Sequence, residues 1–380
     1  MKLFPISLML LTTLLATQLT VAYPTPPVVK SKGAVLIEQE SKRILYGKEE
    51  KIPLPMASTT KVMTCIVALE KGNLDDIVTV SSRAAGAPPV KLHLKVGEKQ
   101  RLGDLLYSLM LESHNDTAIA VAEHIGGSVE GFCEMMNQKA CELGAITTSF
   151  QTPNGLDAPK HYTSPYDLAL IGAYALQNPE FVKIVTTENI AIPTTTVEGS
   201  KPHSLQNKNR FLYTYPNATG MKTGFTSKAG HCFIGSAKQD DMQLVGVALG
   251  AGWGNKGKTQ KYQDVITLMN YGFKNYKKVK VLEPTTHYEE VKVKKGIVKQ
   301  VPLECTETLI IPLLQEEKES LTLKKVVPTE LVAPLEKGQK VGEIEIRCNG
   351  VLLGKADLSI QEAVRKATLL DYVKGFFKKQ

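Results

Sequence analysis

Apolar residues recur with two different spacings along the chain, and each spacing predicts one type of secondary structure. An apolar run from Val62 to Leu69, unbroken by Gly or Pro until Gly72, predicts a buried helix that starts close to Ser58. Further helices are predicted over 102–112, 116–125, 129–143, 164–176 and 259–273, strands over 33–38, 43–46, 75–80, 221–226, 231–238 and 242–249, and a Gly-rich turn over 250–257. We expect the 221–226 strand to be exposed and the last two strands to form a hairpin.

The pattern changes after about residue 280, which separates a first domain over 28–277 from the rest of the chain. Short Val- and Ile-rich runs between Pro, Gly and charged residues predict a small all-β domain over 280–358. In the final segment, 361–380, apolar residues recur three or four positions apart among lysines and arginines, at Val364, Ala367, Leu370, Val373 and Phe377. This spacing predicts a basic amphipathic helix that lies in a membrane interface, with a helix packed on the protein's own surface as the alternative.

The N-terminal residues 1–22 have the pattern of a secretory signal peptide. They carry an early Lys2, an apolar stretch and small residues before an expected cleavage after Ala22. A retained membrane anchor is the alternative, but several Thr and Gln residues interrupt the apolar stretch. The sequence therefore predicts export, with the mature protein at the extracytoplasmic face of the membrane.

Composition narrows the class of protein. The 380 residues are 43% hydrophobic and 22% charged, as in a soluble globular protein with a sizeable core. The net charge of +8 comes from scattered lysines and arginines without a nucleic-acid-binding motif, so an anionic membrane or wall is the expected partner rather than nucleic acid. The six cysteines form no C-x-x-C pair, which argues against a metal site.

Two states of the cysteines remain open. An exported chain can form disulfides, and Cys305 with Cys348 is the first pair to test. The alternative is six free, buried thiols that act as small hydrophobes, which we favour because Cys65 and Cys232 lie in runs typical of a core.

The start of the first predicted helix combines two groups that can perform acyl transfer. Ser58 and Lys61 are three residues apart, so their side chains share one helix face. A desolvated lysine loses its proton more easily and can then take the proton of a serine hydroxyl. Alone this motif is weak, because an N-cap serine followed by a solvated lysine has the same spacing.

Two further motifs follow in a fixed order. Ser113-His114-Asn115 falls between two predicted helices, and Lys222-Thr223-Gly224 falls on the 221–226 strand. Ser-x-x-Lys, Ser-x-Asn and Lys-Thr-Gly together are the motif set of penicillin-binding proteins and class A β-lactamases. The occurrence of all three motifs by chance is far less probable than a chance match to any one of them.

On these residues the chain resembles the low-molecular-mass penicillin-binding proteins, which are serine-type D-alanyl-D-alanine carboxypeptidases, from about residue 30 to the C-terminus. The segments 154–157, 161–164 and 167–170, and Phe225-Thr226 with Ala229-Gly230, strengthen the resemblance. It implies an α/β (α+β) penicillin-binding transpeptidase/β-lactamase-like domain, in which helices flank an antiparallel sheet. It also supports the membrane-bound C-terminal helix.

The resemblance implies a role for each motif residue. Ser58 would be the nucleophile, Lys61 its base and Ser113 a proton relay to the leaving amine. Substrate would be bound by Asn115, Lys222, Thr223, Gly224, Phe225 and Thr226, with the backbone N–H groups of Ser58 and Phe225 as oxyanion donors. The reaction needs no metal or organic cofactor. The family often adds a basic residue after the hairpin to meet the substrate carboxylate, and Lys256 and Lys258 are candidates.

His114 departs from the small residue usual at the middle of the second motif. A structural or rim position is the favoured interpretation, with a general base as the alternative.

The implied activity is removal of the terminal D-alanine from peptidoglycan stem peptides ending in D-Ala-D-Ala, with covalent binding of β-lactams. A β-lactamase is one alternative, although the Glu-x-x-Leu-Asn pattern of class A enzymes is absent. A penicillin-sensing or wall-binding module without turnover is the other.

Overall fold

The computed structural model describes residues 23–193, 202–285 and 288–371. The first part of the chain contains, in order, β1 (Gly33–Glu38), β2 (Ile44–Lys48), α1 (Lys61–Lys71), β3 (Ile77–Thr79), α2 (Ser82–Ala85), β4 (Lys99–Arg101), α3 (Leu102–Leu111), α4 (Asn115–Gly126), α5 (Val129–Glu142), α6 (Pro165–Ala175), α7 (Pro179–Thr186), β5 (Asn189–Ile192), β6 (His203–Gln206), α8 (Phe211–Thr214), β7 (Ala218–Thr226), β8 (Gly230–Gln239), β9 (Met242–Leu249) and α9 (Gly254–Asn275). The second part contains β10 (Lys277–Leu282), β11 (Glu290–Lys294), β12 (Gln300–Glu304), β13 (Leu309–Leu313), β14 (Leu321–Val326), β15 (Glu330–Val332), β16 (Lys340–Cys348) and β17 (Val351–Ile360).

An antiparallel sheet of five strands, in the order β2-β1-β9-β8-β7, organises the first part. Its central strands are buried on both faces, and every residue of β1 is buried, because helices cover the sheet on each side. On one face α9 packs with Phe233 and Leu244. On the other, Ile234 and Val245 join the larger core of α1 and α3–α6. The predicted hairpin and the sheet flanked by helices are confirmed.

Helix α1 runs through the middle of the larger core. All of its residues from Lys61 to Ala68 are buried, as expected for a helix that is apolar around its whole circumference. A short 3-10 turn, Ala57–Thr60, precedes it and carries Ser58. The predicted helix is therefore confirmed, and its position fixes the first motif rigidly within the domain.

Two local predictions are wrong. The strand at 221–226 was expected to be exposed, but Met221 and Lys222 are buried, because β7 at the sheet edge is covered by the turn before α1 and by α7. The helix predicted from 259 begins at Gly254, so half of the predicted Gly-rich turn is its first turn. Three of the four residues from 254 to 257 are Gly or Asn, which are weak helix formers. The sequence pattern therefore did not indicate that the helix begins there.

The second part is all-β. Its main sheet has six strands in the order β14-β16-β17-β12-β11-β15, and β10 pairs with β13 beside it. The small core includes Leu303, Ile344 and Leu358. The all-β prediction is confirmed, and β10 begins two residues after α9 ends.

The C-terminal prediction needs correction. Residues 361–368 are not helical, and a short helical turn covers 369–371. Val364, expected on the apolar face of a membrane helix, is buried in the small core and bridges to Leu335. Val364 and Lys366 form isolated antiparallel bridges, with Leu335 and Gly296, which the helical spacing did not predict. Residues 372–380 of that prediction, and the predicted signal peptide 1–22, lie outside the described residues.

All six cysteines are free, five of them buried. The pairing of Cys305 with Cys348 is therefore wrong. The favoured alternative of free, buried thiols is confirmed except that Cys141 is exposed. Within the three described ranges, no helix is both long and apolar enough to cross a membrane.

Candidate active site

Ser58 occupies the turn that leads into α1. Its hydroxyl lies 3.0 Å from Lys61 Nζ and donates a hydrogen bond of 3.2 Å to the backbone carbonyl of Asn154. The side chain is partly exposed while the residues on both sides are buried. Ser58 therefore offers its oxygen to a ligand at the base of a cleft.

Lys61 is completely buried and surrounded by oxygen atoms. Besides the Ser58 hydroxyl, its Nζ donates to Asn115 Oδ1 at 2.8 Å and to the Asn154 carbonyl at 2.6 Å. Burial lowers the pKa of Lys61 well below its usual value, and the nearby charge of Lys222 lowers it further, whereas Asp116 opposes the shift. A neutral amine beside a hydroxyl can accept the hydroxyl proton.

The Asn154 carbonyl is a functional group that the sequence interpretation missed. The 154–157 segment was noted only for its resemblance to the family. Its loop is held by Thr152, whose Oγ1 accepts from the N–H of Gly155 and donates to the carbonyl of Leu156. Asn154 Oδ1 accepts from the N–H of Leu156, an Asx turn that fixes the carbonyl direction. Backbone acceptors leave no side-chain signature, so only the turn residues could have indicated this one.

The second motif lies between α3 and α4, as predicted. Ser113 has a left-handed φ of 70°, a conformation that non-glycine residues adopt at a cost. Asn115 is buried and links this loop to Lys61. Its Nδ2 donates to the carbonyls of Pro88 and Pro89 at 3.1 and 3.0 Å. The second motif and the Asn154 loop therefore meet at the Lys61 amine.

His114 is buried and hydrogen-bonded to a residue of α3, which favours a structural role over a general base. Its Nδ1 is 2.8 Å from Ser108 Oγ and its Nε2 is 3.4 Å from Glu112 Oε2. Burial lowers the pKa of His114 to about 4 despite the nearby Asp116 and Glu112 carboxylates. The neutral ring anchors the residue between Ser113 and Asn115.

The third motif lies on β7, which runs directly against the nucleophile turn. A Cβ at Gly224 would approach the Ser58 nitrogen to 2.8 Å, so only glycine fits this contact. Lys222 is buried, with its Nζ 3.2 Å from the Thr223 carbonyl. Burial and the charge of Lys261 lower the pKa of Lys222 to about 7.

The end of β7 forms the outer wall of the site. Thr226 Oγ1 donates to Asp157 Oδ1 at 3.0 Å and accepts from the Ala229 N–H at 3.0 Å, which ties β7 to the Asn154 loop. The half-exposed ring of Phe225 packs on His231, with 4.5 Å between ring centroids. Thr226 is thus restrained, and the Phe225 side chain is held against His231 of β8.

The basic residue beside the third motif is Lys261. Lys256 and Lys258, the candidates from the sequence, are both exposed at the start of α9. Lys261 is buried one turn later, and burial lowers its pKa to about 8. The missed signal is periodic: Lys261 falls on the same face as the buried Val265 and Leu268, where a lysine is unusual.

The chemistry of Ser58 follows from its neighbours. Among the described residues, neither an imidazole nor a carboxylate is hydrogen-bonded to its hydroxyl, and the one basic group in reach is the amine of Lys61. A serine activated by lysine, flanked by Ser-x-Asn and Lys-Thr-Gly, defines a serine hydrolase of the penicillin-binding class.

Comparisons with known proteins agree with this class. A family model described as D-alanyl-D-alanine carboxypeptidase matches residues 20–252, and another, described as Penicillin-binding protein 5, C-terminal domain, matches residues 276–366. The chain belongs to the D-alanyl-D-alanine carboxypeptidase family and is a serine hydrolase.

Relatives extend over nearly the whole chain. D-alanyl-D-alanine carboxypeptidase DacF of Bacillus subtilis is 33% identical and covers 91% of this chain and 88% of its own length. DacC of Escherichia coli is 32% identical over 92% of this chain and 86% of its own length. The crystal structure of penicillin-binding protein 5 from Haemophilus influenzae has a TM-score of 0.77 at 29% identity, covering 90% of this chain and 100% of the other. The resemblance, fold class and enzyme class predicted from the sequence are confirmed.

Proposed function

We propose that this carboxypeptidase removes the terminal D-alanine from peptidoglycan stem pentapeptides through an acyl-enzyme on Ser58. The observation that carries the proposal is the 3.0 Å contact between the Ser58 hydroxyl and the buried amine of Lys61. None of the relatives reported above is named as a β-lactamase or as a penicillin sensor. These two alternatives therefore gain no support.

Acylation begins when Ser58 Oγ attacks the carbonyl carbon of the penultimate D-alanine and its proton passes to Lys61 Nζ. The carbonyl oxygen becomes an oxyanion, which the backbone N–H groups of Ser58 and Phe225 stabilise. Ser113 returns a proton to the departing amine, so that free D-alanine leaves and an ester remains on Ser58. Water then attacks the ester, releases the shortened peptide and restores the Ser58 hydroxyl.

The remaining site residues position the substrate. Asn115 holds Lys61 in place and meets the substrate amide, and Gly224 lets the β7 backbone pack against the nucleophile turn at Ser58. The terminal carboxylate is bound by nearby positive charge, by the hydroxyl of Thr223, and by the hydroxyl of Thr226 once that hydroxyl turns from Asp157 to the substrate. We assign that charge to Lys222 and Lys261, whose mutual repulsion in a buried region is relieved by an anion.

The proposal is tested by Ser58→Ala in two assays: labelling by a fluorescent penicillin, and D-alanine release from an N-acylated peptide ending in D-Ala-D-Ala. Both signals should disappear while circular dichroism is unchanged. Ser227→Ala, at an exposed serine just after β7, is the matched control and should keep both. Labelling of the Ser58 variant at the wild-type level would refute the nucleophile. Rapid turnover of penicillin without D-alanine release would instead identify a β-lactamase.

We also propose that the protein is exported and bound to the outer face of the cytoplasmic membrane by its C-terminal segment. The sequence pattern of 1–22 and the basic, aromatic composition of 372–380 support this. Val364 belongs to the small core, so a truncation that tests the anchor must begin after it. Removing 369–380 should release the mature protein from membranes with D-alanine release intact. A truncated protein that still sediments with membranes would contradict the anchor.

A further inference from the structure

The turn between β11 and β12 exposes apolar residues at its tip. Ile297 is 45% exposed and Val298 is 43% exposed, and both lie between Lys295 and Lys299. Hairpin turns are usually built from Gly, Asn, Asp and Ser. Two adjacent branched apolar residues at a tip therefore indicate contact with something less polar than water.

The C-terminal segment lies directly beside this tip. The N–H of Ile297 donates to the carbonyl of Arg365 at 3.2 Å, and the N–H of Ala367 donates to the carbonyl of Lys295 at 2.7 Å. Leu369 and Leu370, which follow, are 85% and 70% exposed. Residues 295–299 and 366–370 thus form one continuous area, which we call the hairpin-tip surface.

The charge of this surface is positive. Lys295, Lys299 and Lys366 are exposed, and none forms an ion pair with another residue in the described part of the chain. Two of the nearby acids are neutralised, because Glu330 pairs with Lys294 and Asp371 pairs with Arg365. Unpaired lysines around exposed aliphatic side chains match the interface of an anionic bilayer, in which the lysines meet phosphates and the aliphatic groups enter the acyl boundary.

We propose that the hairpin-tip surface is a second membrane contact, which lays the small β-domain against an anionic lipid surface next to the C-terminal anchor. The inference rests on the proposed membrane association and adds to it a site outside the anchor. Contact at two points of one domain restrains its tilt relative to the membrane, whereas contact at one point does not. The distance between the membrane and the Ser58 cleft is then set by the length of the small domain.

The test uses the full mature chain and sedimentation with vesicles of phosphatidylcholine and phosphatidylglycerol. Ile297→Ser with Val298→Ser removes the apolar tip without touching the anchor. Val351→Ser with Leu352→Ser is the matched control: these residues are also adjacent and exposed beside a hairpin turn, 63% and 41%, but lie at the other end of β17 from the C-terminal segment. The tip variant should lower the partition coefficient about tenfold or more, and the control less than twofold.

Replacing Lys295 and Lys299 by Gln should weaken binding to anionic vesicles roughly fivefold for each lysine, with little change on neutral vesicles. Equal binding by the tip variant and its control would overturn the inference while leaving the anchor in place. If the unaltered chain itself does not bind the vesicles, the proposed membrane association fails instead.

A direct readout places a probe at the tip. The chain has a single tryptophan, Trp253, so Val298→Trp in a Trp253→Phe background reports from the hairpin alone. Vesicles should shift its emission to the blue, and lipids brominated near the headgroup should quench it. An unshifted spectrum with bound protein would overturn the contact. A blue shift in the absence of lipid, accompanied by a dimer in sedimentation velocity, would also overturn it and assign the surface to a second copy.

Discussion

Gly155 controls the position of the nucleophile, although it carries no reactive group. It follows the Asn154 carbonyl that accepts hydrogen bonds from Ser58 and Lys61, and it has a left-handed φ of 85°. A Cβ at this position would lie 2.1 Å from the carbonyl oxygen of Ala57 and 2.9 Å from the Ser58 Cα. Gly155→Ala therefore perturbs the nucleophile turn and the Asn154 acceptor together.

Two costs can be separated. The left-handed backbone costs an alanine about 1–2 kcal/mol at any site. The contact adds a second cost, because Cβ atoms essentially never come within 3.0 Å of another heavy atom and the Ala57 carbonyl belongs to rigid backbone. Relief requires a shift of about 1 Å in the nucleophile turn or the loop, and a misplacement of this size costs about 100-fold in rate. Overpacking lowers stability by a further 1–3 kcal/mol, approximately.

Gly144→Ala is the matched control. Gly144 has a similar φ of 76°, but nothing lies within 4 Å of a Cβ there, at the end of α5. Both variants should lose about 1–2 kcal/mol of unfolding free energy from the backbone alone. Only Gly155→Ala should lose more and slow acylation by a fluorescent penicillin about 100-fold. If the two variants acylate equally fast and are equally stable, the nucleophile turn is not confined by this loop.

Three further predictions concern proton positions. Lys61→Arg keeps the charge but cannot deprotonate, so acylation should fall about 10²–10⁴-fold in the penicillin assay, and a rate within tenfold of wild type would contradict the base. Asn115→Asp puts a negative charge at the 2.8 Å contact and raises the pKa of Lys61, so the acid limb of the pH profile for D-alanine release should move to higher pH; an unchanged limb would refute the coupling. Burial lowers the pKa of His161 to about 4, and its Nδ1 accepts from the N–H of Gln151. The pKa of His161 is lower in the folded protein than in the unfolded chain, so its contribution to the free energy of unfolding is fully present above pH 6.5. This contribution should fall by about 3 kcal/mol as the pH drops towards 4. Thermal denaturation of wild type and His161→Gln across this range measures the difference, and parallel curves would contradict it.

Patterns that repeat locally were predictable from the sequence. The spacing of apolar residues predicts three features, because side-chain burial in regular elements is periodic. These are the buried helix α1, the hairpin of β8 and β9, and the all-β domain after residue 280. The order of the three motifs alone predicts that Ser58, Lys61 and Lys222 belong to the site. Contacts through backbone atoms were not predictable. The Asn154 carbonyl bonds to Lys61 through a chain separation of 93 residues, and nothing in a carbonyl distinguishes one residue type from another.

The position of Lys261 on the apolar face of α9 was predictable from residue spacing, but the Gly-rich run before the helix obscured it. The Gly-rich run before α9 predicts a turn, and the resemblance makes Lys256 and Lys258 within and after it candidates for the cation that meets the substrate carboxylate. Once the helix is traced from Gly254, Lys261 lies on its buried face with Val265 and Leu268. A buried ammonium group destabilises the folded protein unless an opposite charge and hydrogen bonds compensate for its lost hydration. The charge of Lys261 lowers the pKa of the buried Lys222, so the protonated form of Lys222 is disfavoured unless an anion lies nearby. This is a reason for the site to favour a ligand that ends in a carboxylate.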